Sequence, residues 1–363
     1  MKDCPPSFPR CGVRWREATR HTALPAVLVA GLPSLSKGAT RMSDKVLVIA
    51  EIGSNHDGDL GHALDLIDVA ADCGADVAKF QSFLAEEMLA PSHPNYPMLK
   101  KLEMPRAWYP KLMERCASRG VRFLSTATNF TSLAWMEEYG AWGYKVASCN
   151  ITYEPLLEYL IRINKPIIIS TGMATLEEIL ALSRRLGDAG MRDYAFLHCV
   201  SRYPVPATEM RLRNITVLKE ILPCKVGLSD HSWGMHLAVA AVALGARIVE
   251  KHLTNNKQGY SPDHHVSILP DEFSRMVQAI RETEAALVAN FAPDVESIHT
   301  MRRSLHFARS MQAGEEITAA DLKVTRPEDG LLPGQQTAVI GRRLAQPVAT
   351  DQPLSWDLFE AEK

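Results

Sequence analysis

The sequence predicts an α/β chain: a (β/α)8 barrel of the TIM type, followed by a small, mostly β domain. Three observations predict it. From Met42 onward eight short apolar runs rich in β-branched residues alternate with longer stretches of helical, amphipathic spacing. The runs are apolar throughout rather than alternating, as strands of a parallel sheet covered on both faces are. After Ala289 the pattern changes to short strand-like pieces separated by turn residues.

The runs are Val46–Gly53, Asp76–Phe83, Val121–Thr126, Gly143–Ser148, Pro166–Thr171, Tyr194–Val200, Lys225–His231 and Arg247–His252. Helix candidates between and after them include Leu60–Cys73, Ala107–Ser118, Ser132–Tyr139, Leu176–Leu186, Leu237–Leu244 and Pro270–Ala289. Eight βα units in about 250 residues are the size of a closed barrel. The rival, a doubly wound open sheet, usually carries a Gly-x-Gly-x-x-Gly turn after its first strand; here the first run enters Ile-Gly-Ser-Asn-His-Asp-Gly. The barrel domain is placed at 42–290, a linker at 291–301, read as irregular, and the second domain at 302–363, where Met-Gln-Ala-Gly-Glu-Glu-Ile and Arg-Pro-Glu-Asp-Gly read as turns. Residues 1–41 are set outside the working fold. Their apolar stretch Ala23–Leu35, preceded by Arg10, Arg14, Arg16 and Arg20, has some features of a targeting segment, but Pro25 and Pro33 interrupt it, and Met42 directly precedes the first strand.

Composition excludes several classes. Lys plus Arg number 40 against 42 Asp plus Glu, a net charge of −2 that argues against a general nucleic-acid binder. No apolar run reaches the roughly 18 residues of a membrane span. The seven cysteines are scattered without a Cys-x-x-Cys pair, which points to free thiols in a reducing compartment, hence the cytoplasm.

The C-terminal ends of the runs carry the chemistry. In order they present Glu51; Lys79 and Gln81; Ser125 and Thr126; Lys145 and Ser148; Ser170 and Thr171; His198 and Ser201; Ser229, Asp230 and His231; Glu250, Lys251 and His252. In a barrel these ends converge on one mouth, where active sites sit. Wet loops account for some of the serines and threonines, but not for lysines inside Ala-Lys-Phe-Gln and Tyr-Lys-Val-Ala, since lysine is rarely buried without a partner. Two lysines among hydroxyls make a pocket for phosphate or carboxylate; a Schiff-base lysine is the competing reading. His231 and His252, on neighbouring strands, suit a catalytic divalent metal or are simply hydrogen-bonded, with Asp230 and Glu250 as candidate partners of the imidazoles. Glu51 is a candidate general acid or base, or an ion-pair partner of a lysine. Tyr203 and Asp263, in loops after the sixth and eighth runs, are candidates for a polyhydroxyl substrate or for packing and capping. His264–His265 is a weak metal signal.

The motifs Ile49-Ala-Glu-Ile-Gly-Ser-Asn-His-Asp-Gly58, Gly74-Ala-Asp-Val-Ala-Lys-Phe-Gln81, Lys145-Val-Ala-Ser148, Ile169-Ser-Thr-Gly-Met-Ala174, His198-Cys-Val-Ser-Arg-Tyr-Pro204, Gly227-Leu-Ser-Asp-His231, Glu250-Lys-His252 and Pro262-Asp-His264 resemble, in order, those of sialic acid synthases. This family includes N-acetylneuraminate, legionaminate and pseudaminate synthases. Arg302-Arg-Ser-Leu305, Arg326-Pro and Pro353-Leu-Ser355 are similar to the antifreeze-like SAF domain those enzymes carry. The resemblance, over about residues 45–360, implies a metal-dependent condensation of phosphoenolpyruvate with an open-chain N-acetylated hexosamine, N-acetylmannosamine or a 2,4-diacetamido sugar, with loss of phosphate. It implies Glu51 as the catalytic carboxylate, and Lys79, Ser125, Thr126, Lys145, Ser148, Ser170 and Ser229 as phosphoenolpyruvate-binding. Gln81, Tyr203 and Asp263 become sugar-binding, and Mn²⁺ or Mg²⁺ is held by His231 and His252. Arg326 would reach from the SAF domain into a partner's barrel, in a domain-swapped homodimer. Two positions depart from the family. Asn150 stands where a carboxylate is usual, and the turn after Arg326 reads Pro-Glu-Asp-Gly330. Asn150 leaves open a paralogue that binds sugar or phosphate without turnover.

Overall fold

The computed structural model describes residues 45–288 and 292–360. Cys4, Cys11, the Ala23–Leu35 stretch and Met42 lie outside the described residues. The other five cysteines, Cys73, Cys116, Cys149, Cys199 and Cys224, are free.

Eight parallel strands close into a barrel: β1 Leu47–Gly53, β2 Val77–Ser82, β3 Arg122–Ala127, β4 Tyr144–Val146, β5 Ile167–Ser170, β6 Tyr194–His198, β7 Lys225–Asp230 and β8 Ile248–His252. Seven of the eight expected runs contain their strand, and β3 runs one residue past its expected end, to Ala127; β4 is cut most, because Ser148–Asn150 coils into a 3-10 turn. Helices return the chain between strands. Asp59, Asn129 and Thr175 accept backbone N–H bonds at the starts of helices Leu60–Asp72, Phe130–Glu138 and Leu176–Asp188, and so fix where three mouth loops end. Tyr109–Ser118, Glu154–Ile163, Arg213–Ile221, His236–Ala243 and Pro270–Ala286 complete the layer.

The strand period of two decides what each residue faces. Leu47, Ile49, Val77, Leu124, Ile168, Ala195, Leu197 and Ile248 fill the barrel interior. Their neighbours, among them Val48, Ala50, Ala78, Phe80, Phe123 and Val249, pack outward beneath the helices. Counting on by twos from the interior set reaches the mouth at Glu51, Lys79, Gln81, Thr126, Ser170, Cys199, Ser229, His231, Glu250 and His252. Gly227 is one of the inward positions, and a Cβ there would lie 2.3 Å from the Ile248 carbonyl oxygen and 2.7 Å from Leu197 Cδ2, so only glycine fits.

The chain divides into two units between Ala286 and Leu287. In the second, β9 Ser304–Phe307 pairs antiparallel with β10 Leu322–Thr325. Its own core gathers Leu305, Phe307, Met311, Ile317, Val339, Leu344 and Leu354. The segment read as an irregular linker holds a helix, Val295–Met301, capped by Asp294. None of its residues is buried, so it has no apolar face for periodicity to reveal.

Candidate active site

Register brings the inward polar residues to one level. Glu51 lies opposite Lys79 on one side and His252 on the other. Gln81 pairs with Thr126, Thr126 with Lys145, and Ser229 with Glu250. Glu51, Lys79, Lys145 and Glu250 are each at most 4% exposed. Burial at this depth requires that each charge be paired, and the pairing is mutual. Lys79 Nζ lies 2.6 Å from Glu51 Oε2 and 3.6 Å from Glu250 Oε2, and donates to Thr126 Oγ1 at 3.3 Å. Lys145 Nζ donates to Ser170 Oγ at 2.7 Å and to Glu250 Oε1 at 3.3 Å. Ser229 Oγ donates to the same Glu250 oxygen at 2.8 Å, and Gln81 Nε2 to Glu51 Oε1 at 2.9 Å.

The two carboxyls diverge in protonation. Burial pushes Glu51 up to about 7, against the pull of Lys79 and with the help of the Glu250 charge. Burial would raise Glu250 as well, but the ammonium groups of Lys145 and Lys79 outweigh it and hold Glu250 well below the usual carboxylate range. For Lys79 the desolvation penalty is overcome by Glu250 and Glu51, which raise its pKa; for Lys145 desolvation wins and lowers it. One carboxyl therefore exchanges its proton near neutrality beside a permanent anion, the divergence expected of an acid–base group and its stabiliser.

Beside this cluster His231 and His252 face each other, ring centroids 5.7 Å apart. Burial pushes His231 down to about 4 and lowers His252, so both imidazoles are neutral. His231 Nδ1 lies 3.0 Å from the Val200 carbonyl oxygen. It donates there, which leaves Nε2 with a free lone pair. His252 Nδ1 is buried with no hydrogen-bond partner, 3.9 Å from Asp263 Oδ2. Neutral imidazoles, one with an orphaned ring nitrogen, fit a divalent metal. Among the described residues no group of three or more His, Cys, Asp or Glu is arranged to hold an ion.

At the rim Tyr203, about half exposed, packs its ring 4.0 Å from that of His231. Asp263 approaches Gly53, where a Cβ would stand 2.8 Å from its Oδ2 and 3.2 Å from Glu51 Oε1. With φ of +57° at Gly53, the absent side chain leaves the opening above Glu51 clear. Ser148 Oγ lies 3.3 Å from Ser201 Oγ. Asn150, in the same turn as Ser148, has a buried amide nitrogen with no partner.

Several expected roles change. Ser125 points out of the barrel: its Oγ lies 2.6 Å from Ser82 Oγ, and on the adjoining strand position it is Thr126 that meets Lys79. Strand alternation allows only one of two consecutive residues to face the mouth. Asp230 and Glu250 do not hold the imidazoles. Asp230 faces outward to Lys251, 2.9 Å away, and Glu250 serves the two lysines. His198 also points outward, its Nε2 2.7 Å from the Met210 carbonyl oxygen. His264 has both ring nitrogens engaged, with Asp57 at 3.0 Å and Thr254 at 2.7 Å, and is not a ligand. Cys199 is a mouth residue that strand-end polarity did not flag. Counting by twos from Ala195 through Leu197 would have found it. Arg326 is an exposed residue of the second unit.

Residues 66–290 match the NeuB family and residues 302–360 the SAF domain. An N,N'-diacetyllegionaminic acid synthase of Campylobacter jejuni is 35% identical, over 79% of this chain and 92% of that protein. A pseudaminic acid synthase from the same species is 31% identical, over 87% and 97%. Among solved structures, the N-acetylneuraminic acid synthetase of Leptospira borgpetersenii, in complex with citrate, is 31% identical with a TM-score of 0.66, over 70% of this chain and 89% of that one. The ordered strand-end residues, the closed eight-stranded barrel and these likenesses agree: the chain belongs to the NeuB family and carries a C-terminal SAF domain.

Proposed function

We propose that the chain is a nonulosonic acid synthase. C3 of phosphoenolpyruvate joins the aldehyde carbon of an open-chain N-acetylated hexosamine, water adds at C2, and inorganic phosphate leaves. The observation that carries this reading is the buried set of two ammonium groups and a hydroxyl ring beside two neutral imidazoles. Lys79, Thr126, Lys145, Ser148, Ser170 and Ser229 bind the phosphate and carboxylate of phosphoenolpyruvate through charge-assisted hydrogen bonds. Glu250 pairs with both lysines and sets their spacing. Glu51 accepts a proton from the water that adds at C2, which its pKa near 7 allows without a large energetic gap. Gln81, Tyr203 and Asp263 orient the sugar. A divalent metal, Mn²⁺ or Mg²⁺, bound through His231 and His252 would supply Lewis-acid polarisation of the aldehyde oxygen. Arg326 completes the site from the SAF domain of a partner in a domain-swapped homodimer. The free cysteines suit a cytoplasmic enzyme.

The names of the relatives favour a 2,4-diacetamido sugar as well as N-acetylmannosamine as acceptor. Purified protein with phosphoenolpyruvate is expected to release phosphate only when Mn²⁺ or Mg²⁺ and one of these sugars are both present. No release with any of them would sink the reading.

Asn150 favours a second reading, a ligand-binding paralogue without turnover, because an amide at that place is neither base nor anion. Calorimetry would support it by tight substrate binding without phosphate release, unrestored in Asn150→Glu. The Schiff-base alternative, at Lys79 or Lys145, is disfavoured at Lys79, whose pKa Glu250 and Glu51 raise; Lys145, lowered by burial, is its better nucleophile. Borohydride trapping of a pyruvate adduct would revive it.

A further inference from the structure

We propose that Lys251, which touches neither substrate pocket nor imidazole, is a positioning residue that locks the two histidines into one geometry. The proposal rests on the metal-pair reading above. Lys251 is fully buried and points out of the barrel, away from the mouth. Its ammonium donates to Asp230 Oδ2 at 2.9 Å and to the Ser232 carbonyl oxygen at 2.6 Å. Asp230 Oδ1 in turn accepts from Ser232 N at 2.8 Å and Ser232 Oγ at 2.6 Å. The residues on both sides of His231 are thus fastened to each other and to the residue before His252. Asp230 and Lys251 are also register partners on β7 and β8. One ammonium therefore ties the backbone of both imidazoles across the strand boundary. The Val205 N–H, which bonds to the His231 carbonyl oxygen at 3.0 Å, closes the remaining side.

Stability does not explain a buried ion pair in this place. An apolar pair of similar volume would pack against the helices as well or better, since both charges pay for desolvation. What an apolar pair cannot do is hold Ser232 and Asp230 in a fixed relation to β8. The pair is net neutral, so it does so without adding charge behind the imidazoles. Residues that orient metal-binding imidazoles typically change metal affinity by about 10–100-fold when replaced.

The test compares wild type, the double variant Asp230→Leu/Lys251→Met, and His231→Ala, all stripped of metal. Mn²⁺ affinity is read by calorimetry without substrates, amide hydrogen exchange over residues 228–233 without metal, and melting temperature in parallel. The double variant is expected to melt near wild type, to exchange faster at residues 230–232, and to bind Mn²⁺ at least about 10-fold more weakly. Unchanged exchange and unchanged Mn²⁺ affinity in a folded double variant would overturn the inference. If wild type binds no Mn²⁺, the metal-pair reading fails, and the exchange result alone decides the positioning role. Should the double variant not fold, Asp230→Asn/Lys251→Met replaces it. That variant keeps the acceptor for Ser232 but severs the tie to β8, and wild-type Mn²⁺ affinity with wild-type exchange in it would equally reject the proposal.

Discussion

Glu51 shows how much one residue's surroundings decide. Its carboxyl stands between Lys79 and Gln81 at the end of β1, almost without exposure. Desolvation lifts it from the ordinary 4.5 to about 7 even with an ammonium in contact. Across that window the folded chain holds a proton that the unfolded chain has released, so the group's contribution to stability is present at lower pH and is lost as pH rises through 7. For the proposed synthase activity the pH dependence runs the other way, because Glu51 as its base must be ionised. The rate is expected to fall as pH drops below about 7. In Glu51→Gln, kcat is expected to fall by roughly 10²–10⁴ and the acidic limb to vanish. Phosphate-release rates between pH 5.5 and 9 would check both, and a wild-type profile flat across neutrality would remove Glu51 from the proton transfer.

At the scale of a strand, alternation sorts neighbours that look alike. Ser125 and Thr126 are adjacent hydroxyl residues at the end of β3, and both are buried. Register with β2 places Thr126 opposite Gln81 and Ser125 opposite Phe80, so one hydroxyl meets Lys79 inside the barrel and the other faces Ser82 behind the barrel wall. Thr126→Val is expected to raise the KM for phosphoenolpyruvate by about 10–100-fold, by loss of a hydrogen bond to a charged partner worth about 1.5–3 kcal/mol. Ser125→Ala is expected to leave KM unchanged and to cost about 1 kcal/mol of stability. Steady-state kinetics and denaturant melts on the pair separate the two, and equal KM shifts would contradict the assignment of faces.

For the whole molecule the open question is where Arg326 acts. Each unit has its own buried core, so each can be mutated without unmaking the other. If Arg326 completes a partner's barrel, mixing inactive Arg326→Ala with inactive Glu51→Gln should regenerate activity in heterodimers, up to about a quarter of the wild-type sites if exchange is statistical. No recovery after verified subunit exchange would place Arg326 in the site of its own chain or outside any site.

The sequence by itself determined the strand-and-helix alternation, the polar strand ends and the family likeness, because strand periodicity and burial leave their marks in local residue order. Only the tertiary structure decided which of those polar ends meet. Glu250 reads as a partner for a histidine and proves to be the counter-ion of two lysines; Asp230 reads the same way and turns outward to Lys251. The reason is register. Neighbouring strands choose their alignment through backbone pairing and packing over the whole barrel, and that alignment, rather than any local pattern, sets the 3.3 Å between Lys145 and Glu250.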